Sequence, residues 1–190
     1  SAFSFINDTG DITFTNRAND KDIIFQSDDG SGGVKSYFYL DGSVGATVFP
    51  DSSKLYFGTG HDVYIEHDGN NAYLSNNTGS LIIRTTTDDA DVILQSDDGS
   101  GGVTPYLTLD GSETKTIVSQ TMEFQDNVKL AIGNSEDMTI DHNATDTRIM
   151  NYTGDLRILN AANDKDITFE SDDGSGGITP YLTLDGSATT

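Results

Sequence analysis

The sequence predicts an all-β protein built from many short strands in a repeated array, and three observations carry that prediction. Apolar residues recur with period two almost everywhere and with period 3.6 nowhere for long, which marks half-buried strands rather than helices. Clusters of Gly, Asn and Asp interrupt the chain about every 8–12 residues, as tight turns between short strands do. The third observation is internal copying. Asn7–Ser43, Asn76–Ser112 and Asn151–Ser187 align without a gap over 37 residues each, and Asp51–Asn76 aligns in the same way with Asp126–Asn151.

Taken in order, the chain reads as module A (7–43), B (51–76), A (76–112), B (126–151) and A (151–187). Successive A modules start 69 and then 75 residues apart; the extra six fall in the connector, seven residues in Val44–Pro50 against thirteen in Glu113–Gln125. Solenoid repeats are mostly about 20–50 residues long, so each of these larger units is expected to hold several strands. One array over 1–190 is the expected domain organisation, and both ends read as cuts in a longer polypeptide.

Each A module opens on an Asn-x-Thr-Gly turn ending at Gly10, Gly79 or Gly154, where glycine meets a need for positive φ. The alternation then predicts strands at Ile12/Phe14, Leu81/Ile83 and Leu156/Ile158, and again at pairs such as Val92/Leu94 and Leu107/Leu109. Between the two strand regions lies SDDGSGG, at Ser27–Gly33, Ser96–Gly102 and Ser171–Gly177. Pro105 and Pro180, with Ser36 in the first copy, predict a strand start, because proline donates no ladder hydrogen bond. Asp41-Gly42, Asp110-Gly111 and Asp185-Gly186 close the modules as hairpin or bulge turns. The B modules alternate at Leu55/Phe57 and Val63/Ile65. Thr, Ile and Val in Glu113–Phe124 favour strand over the one conceivable helix.

Composition narrows the function. Apolar residues are 34% of the chain, so a lone copy buries only a thin core and is expected to borrow burial from partner chains. The net charge of −21 excludes the basic footprint that nucleic-acid binding requires, and it opposes anionic membrane surfaces. It suits a solvated surface that resists aggregation, or one that attracts divalent cations. There is no cysteine for a disulfide or a thiolate metal site, and no apolar run of about 18 residues that would insert in a membrane. The N-terminal SAFSFIN lacks the basic region and cleavage pattern of a signal peptide.

Three residue sets are candidate sites. The pairs Asp28/Asp29, Asp97/Asp98 and Asp172/Asp173 offer oxygen ligands to Ca²⁺ in a glycine-rich turn, although their spacing matches neither an EF-hand nor a nonapeptide calcium repeat. A purely structural turn explains the same residues. As the two carboxylates of a glycosidase they fit poorly, since neighbours on a strand face opposite ways. His67 and His142 hold equivalent positions, each two residues after an isoleucine. Around a threefold axis such histidines would form rings able to hold an axial metal or anion. The alternative is a half-buried histidine hydrogen-bonded to a neighbour. His61 aligns with Glu136 and is expected to be exposed. Asn7, Asn76, Asn143 and Asn151 begin N-x-T triplets, which turn formation accounts for without glycans. No P-loop, G-x-S-x-G, H-E-x-x-H or dinucleotide motif occurs, so no enzyme activity is predicted and no cofactor is required.

The phrases SDDGSGG…YLTLDGS and FGTGHDVYIEHDGNNAYLSNNTG resemble repeated stretches in tail-fibre and other appendage proteins of tailed bacteriophages, particularly those of marine bacteria. The resemblance spans nearly the whole chain and carries no catalytic residue. It implies an elongated homotrimeric β-helix or β-prism shaft, located on the virion and so extracellular. It further implies a mechanical role, rigid extension and host attachment, with a host-surface glycan or protein as a partner beyond the chain itself. Ala131-Ile132-Gly133-Asn134 departs from Tyr56-Phe57-Gly58-Thr59, so packing should differ between the two B modules. Two other readings stay open: a monomeric calcium- or glycan-binding adhesin module, and a polysaccharide-degrading tailspike.

Overall fold

A computed structural model describes residues 9–188, and among these the protein is all-β, with fourteen strands and no helix. Every strand pair is antiparallel and joins sequence neighbours. The result is five small sheets, with no closed or solenoid sheet among the described residues. Contacts divide the chain into two units, Ser1–Thr87 and Asp88–Thr190. The division falls inside the second A module, between its first segment and its hairpin.

Each A module forms one hairpin: β1 (Ile23–Asp28) with β2 (Val34–Asp41), β7 (Val92–Asp97) with β8 (Val103–Asp110), and β13 (Ile167–Asp172) with β14 (Ile178–Leu184). The first two gain a third strand, β3 (Ala46–Val48) and β9 (Lys115–Val118). The register is the same three times. Ile23, Val92 and Ile167 face Leu40, Leu109 and Leu184; Phe25, Leu94 and Phe169 face Phe38, Leu107 and Leu182. Opposed residues share a face, so each hairpin carries two apolar rows on one face before its loop end. In the first copy that face is partly aromatic, with the Phe25 and Phe38 rings stacked at 4.4 Å.

The register slips once in each hairpin, after Phe25, Leu94 and Phe169, and leaves Tyr37, Tyr106 and Tyr181 without a paired residue. This bulge corrects the expectation for Pro105 and Pro180. They lie inside the strands, opposite Gln95 and Glu170, rather than at their starts. A bulge is one of the few places where a ladder tolerates a missing donor, and β9 pairs with β8 only from Leu107 onward. The bulged tyrosine earns a role of its own: its hydroxyl donates to the carbonyl of Asp28, Asp97 or Asp172, at 2.6, 3.2 and 3.1 Å.

The B modules form three-stranded meanders: β4 (Leu55–Phe57), β5 (Val63–His67) and β6 (Ala72–Asn76), then β10 (Leu130–Ile132), β11 (Met138–His142) and β12 (Thr147–Asn151). Rows of opposed residues run straight across them, Leu55–Ile65–Leu74 in one and Leu130–Ile140–Ile149 in the other.

The strands expected at Leu81/Ile83 and Leu156/Ile158 are not assigned. Residues 80–86 and 155–160 carry no regular structure and make no backbone–backbone hydrogen bond. Residues 11–17 are likewise outside any strand. Period-two alternation reports a chain ready to extend, and a ladder also needs a partner.

The central observation is the missing core. Among the described residues no hydrophobic side chain is buried; the buried ones are Ser53, Thr139 and Asp141. The chain exposes 15488 Å². Even two separate well-packed bodies, each of half the 20.4 kDa mass, would together expose only roughly 10,600 Å².

Candidate functional site

The B sheets carry the most repeated geometry outside the hairpins. On one face of the first stand Leu55, Val63, Ile65, His67 and Leu74, and on the second Leu130, Met138, Ile140, His142 and Ile149, by strand alternation and cross-strand register. Among the described residues nothing buries these faces: Ile65 is 49% exposed, Leu74 50% and Ile149 58%. Each face holds a shallow cavity of about 230 or 240 Å³. All seven lining positions of one correspond to those of the other, shifted by the B-module spacing, so the sites are copies. Phe49 and Phe124 close one side of each. They precede the B modules as read from the sequence, and their shared offset from Asp51 and Asp126 is the signal that extends the repeat by two residues.

His67 and His142 stand on these faces beside Ile65 and Ile140, as their spacing predicts. Each Nδ1 lies against a carboxylate, 2.9 Å from Asp51 Oδ1 and 2.8 Å from Asp126 Oδ1. That placement comes from a turn with Ser52 and Asn127 in the left-handed region, at φ 60° and 64°. There each backbone N–H donates to the carbonyl of the histidine, both at 2.8 Å. Each ring is held on its Nδ1 side, and in the first copy Gly69 N donates to that same nitrogen at 3.2 Å. Asp51 and Asp126 were not legible as site residues beforehand. Their position, sixteen residues before each histidine, becomes meaningful only once the turn is folded.

The opposite faces differ between copies. Lys54 pairs with Glu66 at 3.4 Å, whereas Arg148 grips Asp141 with two hydrogen bonds, at 3.0 and 2.6 Å. Those bonds hold the Asp141 carboxyl below its ordinary pKa, and Asp141 raises that of the guanidinium. Beside them the Thr139 hydroxyl is fully buried without a hydrogen-bond partner. One further cavity, of about 400 Å³, gathers Lys35, Lys54, His61, Tyr37 and Tyr56. The second B module replaces Tyr56 with Ala131 and His61 with Glu136, so this cationic pocket is not repeated. His61 is exposed, as expected, and its ring packs on Tyr56 with centroids 4.5 Å apart.

The acidic turns resolve into a self-contained hydrogen-bonded loop, built three times. Asp29 Oδ1 accepts from Ser31 N and Ser31 Oγ, both at 2.8 Å, and from Gly33 N at 3.0 Å. Asp98 and Asp173 repeat these contacts. Asp28, Asp97 and Asp172 each accept from the backbone N–H two residues on. Three glycines serve two needs. Gly30 and Gly32 have φ 82° and 89°, while a Cβ on Gly33 would overlap the Asp29 carboxylate. The serine hydroxyl, followed by the backbone donors, holds Asp29, Asp98 and Asp173 below the ordinary carboxylate pKa. Among the described residues no group of three or more His, Asp or Glu is placed to hold a metal ion.

The asparagines at 76 and 151 donate from Nδ2 to the carbonyls of Thr78 and Gly79, and of Thr153 and Gly154. Asn143 Oδ1 accepts from Thr145 N and Asp146 N, and Asn7 lies outside the described residues. No family model, no curated protein and no solved structure matches this chain.

Proposed function

We propose that this chain is a structural segment of a homotrimeric phage fibre, its modules stacked along a shaft that gives rigid extension. The observation that carries the reading is a repeated all-β chain with no buried hydrophobic side chain among its described residues. Apolar faces recur on the A hairpins and B sheets, and leaving them in water forfeits about 25 cal/mol for each Å². A monomeric adhesin would carry that cost in full. A shaft in which three copies turn these faces to one another recovers it, while the acidic loops remain in water and keep the assembly soluble. On this reading His67 and His142 lie close to the shared axis. Host attachment would then fall to whatever surface the shaft presents, the cationic pocket of the first unit included.

Mass in solution tests the proposal. Multi-angle light scattering at micromolar concentration should give three times the 20.4 kDa of one chain. A monomeric mass with sheet-type circular dichroism overturns it.

A further inference from the structure

Residues 80–86 and 155–160 combine four properties that together ask for a partner. Their backbone makes no ladder hydrogen bond within the chain. Their apolar side chains are among the barest in the protein, with Ile82 at 72%, Ile83 at 61%, Ile158 at 63% and Leu159 at 73% exposed. They are nevertheless not slack linkers. Asn76 and Asn151 staple the turn before each segment, and Asn160 bonds forward to the carbonyl of Asp166 at 2.9 Å and back from Ala162 N. Finally, Arg84 and Arg157 lie within them, two of only four arginines in a chain of net charge −21, and neither makes an ion pair or hydrogen bond. An extended segment that is apolar, carries an arginine and is held by the turn before it suits an acidic strand edge.

Three such edges are available to the two segments. β1, β7 and β13 are outermost in every A sheet, each leaves one edge unpaired, and each ends in the Ser-Asp-Asp of an acidic loop. We infer that residues 80–86 and 155–160 are strands completed in trans, each adding to the outer edge of an A hairpin in another copy of this chain laid parallel and in register. Register identifies the occupant. The modules are spaced 69 and then 75 residues apart. The two segments lie 75 residues apart, as β7 and β13 do, so a second copy offers edges at the matching interval, and the threefold axis of a homotrimer lays the copies parallel. The area agrees: the surface exposed beyond that of two well-packed bodies is about 5,000 Å², within the range of obligate interfaces. Edge pairing would also protect strands that otherwise invite disordered aggregation.

This inference rests on the homotrimer reading, and hydrogen–deuterium exchange followed by mass spectrometry, run beside light scattering on the same sample, separates the two. In an oligomer, peptides covering 80–86 and 155–160 should exchange at least about 100-fold more slowly than unstructured chain. Ile82→Pro, which removes a donor unbonded within one chain, should abolish that protection at 80–86 and reduce the assembled fraction while β7 and β8 stay protected. An oligomer whose two segments exchange at the unstructured rate overturns the trans-strand inference and leaves the fibre reading standing. A monomer overturns both.

Discussion

Truncating Ile149 to alanine distinguishes a bare sheet face from a shared core by magnitude. Ile149 lies on β12 opposite Ile140 and is 58% exposed in the single chain. Burying an isoleucine side chain completely is worth about 1.5–3 kcal/mol. With less than half of it covered, the single chain can lose only about 1 kcal/mol when the side chain is cut back. If three copies close over the face, the same truncation opens a cavity in a packed core and costs about 2–5 kcal/mol per chain. Strand propensity adds up to about 1 kcal/mol of its own, so Thr168→Ala, at an exposed position on β13, supplies the correction. Guanidinium unfolding, followed by far-ultraviolet circular dichroism at one fixed protein concentration, yields the midpoint and slope for both variants. A corrected loss below about 1 kcal/mol per chain, with an unchanged slope, would show that this face stays in water and would refute the shared-core argument.

Gly101→Ala forces a side chain into the left-handed region at φ 91°; it should cost about 1–2 kcal/mol in the same assay, with Gly32→Ala and Gly176→Ala matching it because the loop is built identically. Arg148→Met should destabilise most at neutral pH and lose its effect in acid. The depressed pKa of Asp141 contributes stability that is full above its ordinary value near 3.8 and disappears as pH falls through the lower folded value, so melting curves of wild type and variant should converge only once the pH is well below 3.8. Treatment with EDTA should leave the melting temperature unchanged, since Asp29, Asp98 and Asp173 already direct Oδ1 at three donors of their own loops; a drop on chelation that calcium reverses would restore the cation reading of these turns.

Period-two alternation, repeat boundaries and turn chemistry were enough to read the all-β class, the modules and the positions of most strands from the sequence alone. These are local properties: a strand's alternation and a glycine's φ are set by residues a few places apart. The same logic placed His67 and His142 on one face with Ile65 and Ile140. Folding was needed for everything that depends on contact across the chain. Pro105 and Pro180 looked like strand starts because a missing donor is easy to see in sequence, whereas the bulge that accommodates it arises from pairing with a second strand. Asp51 and Asp126 became histidine partners only through a left-handed turn. The acidic loop looked like a ligand site because its carboxylates are conspicuous, and beside one serine hydroxyl the donors that occupy them are backbone N–H groups that no sequence displays. Leu81, Ile83, Leu156 and Ile158 show the division most plainly. Their alternation fixes a segment able to extend, but what pairs with it is a matter of tertiary and quaternary structure, because a strand's hydrogen bonds point sideways, away from its own sequence neighbours.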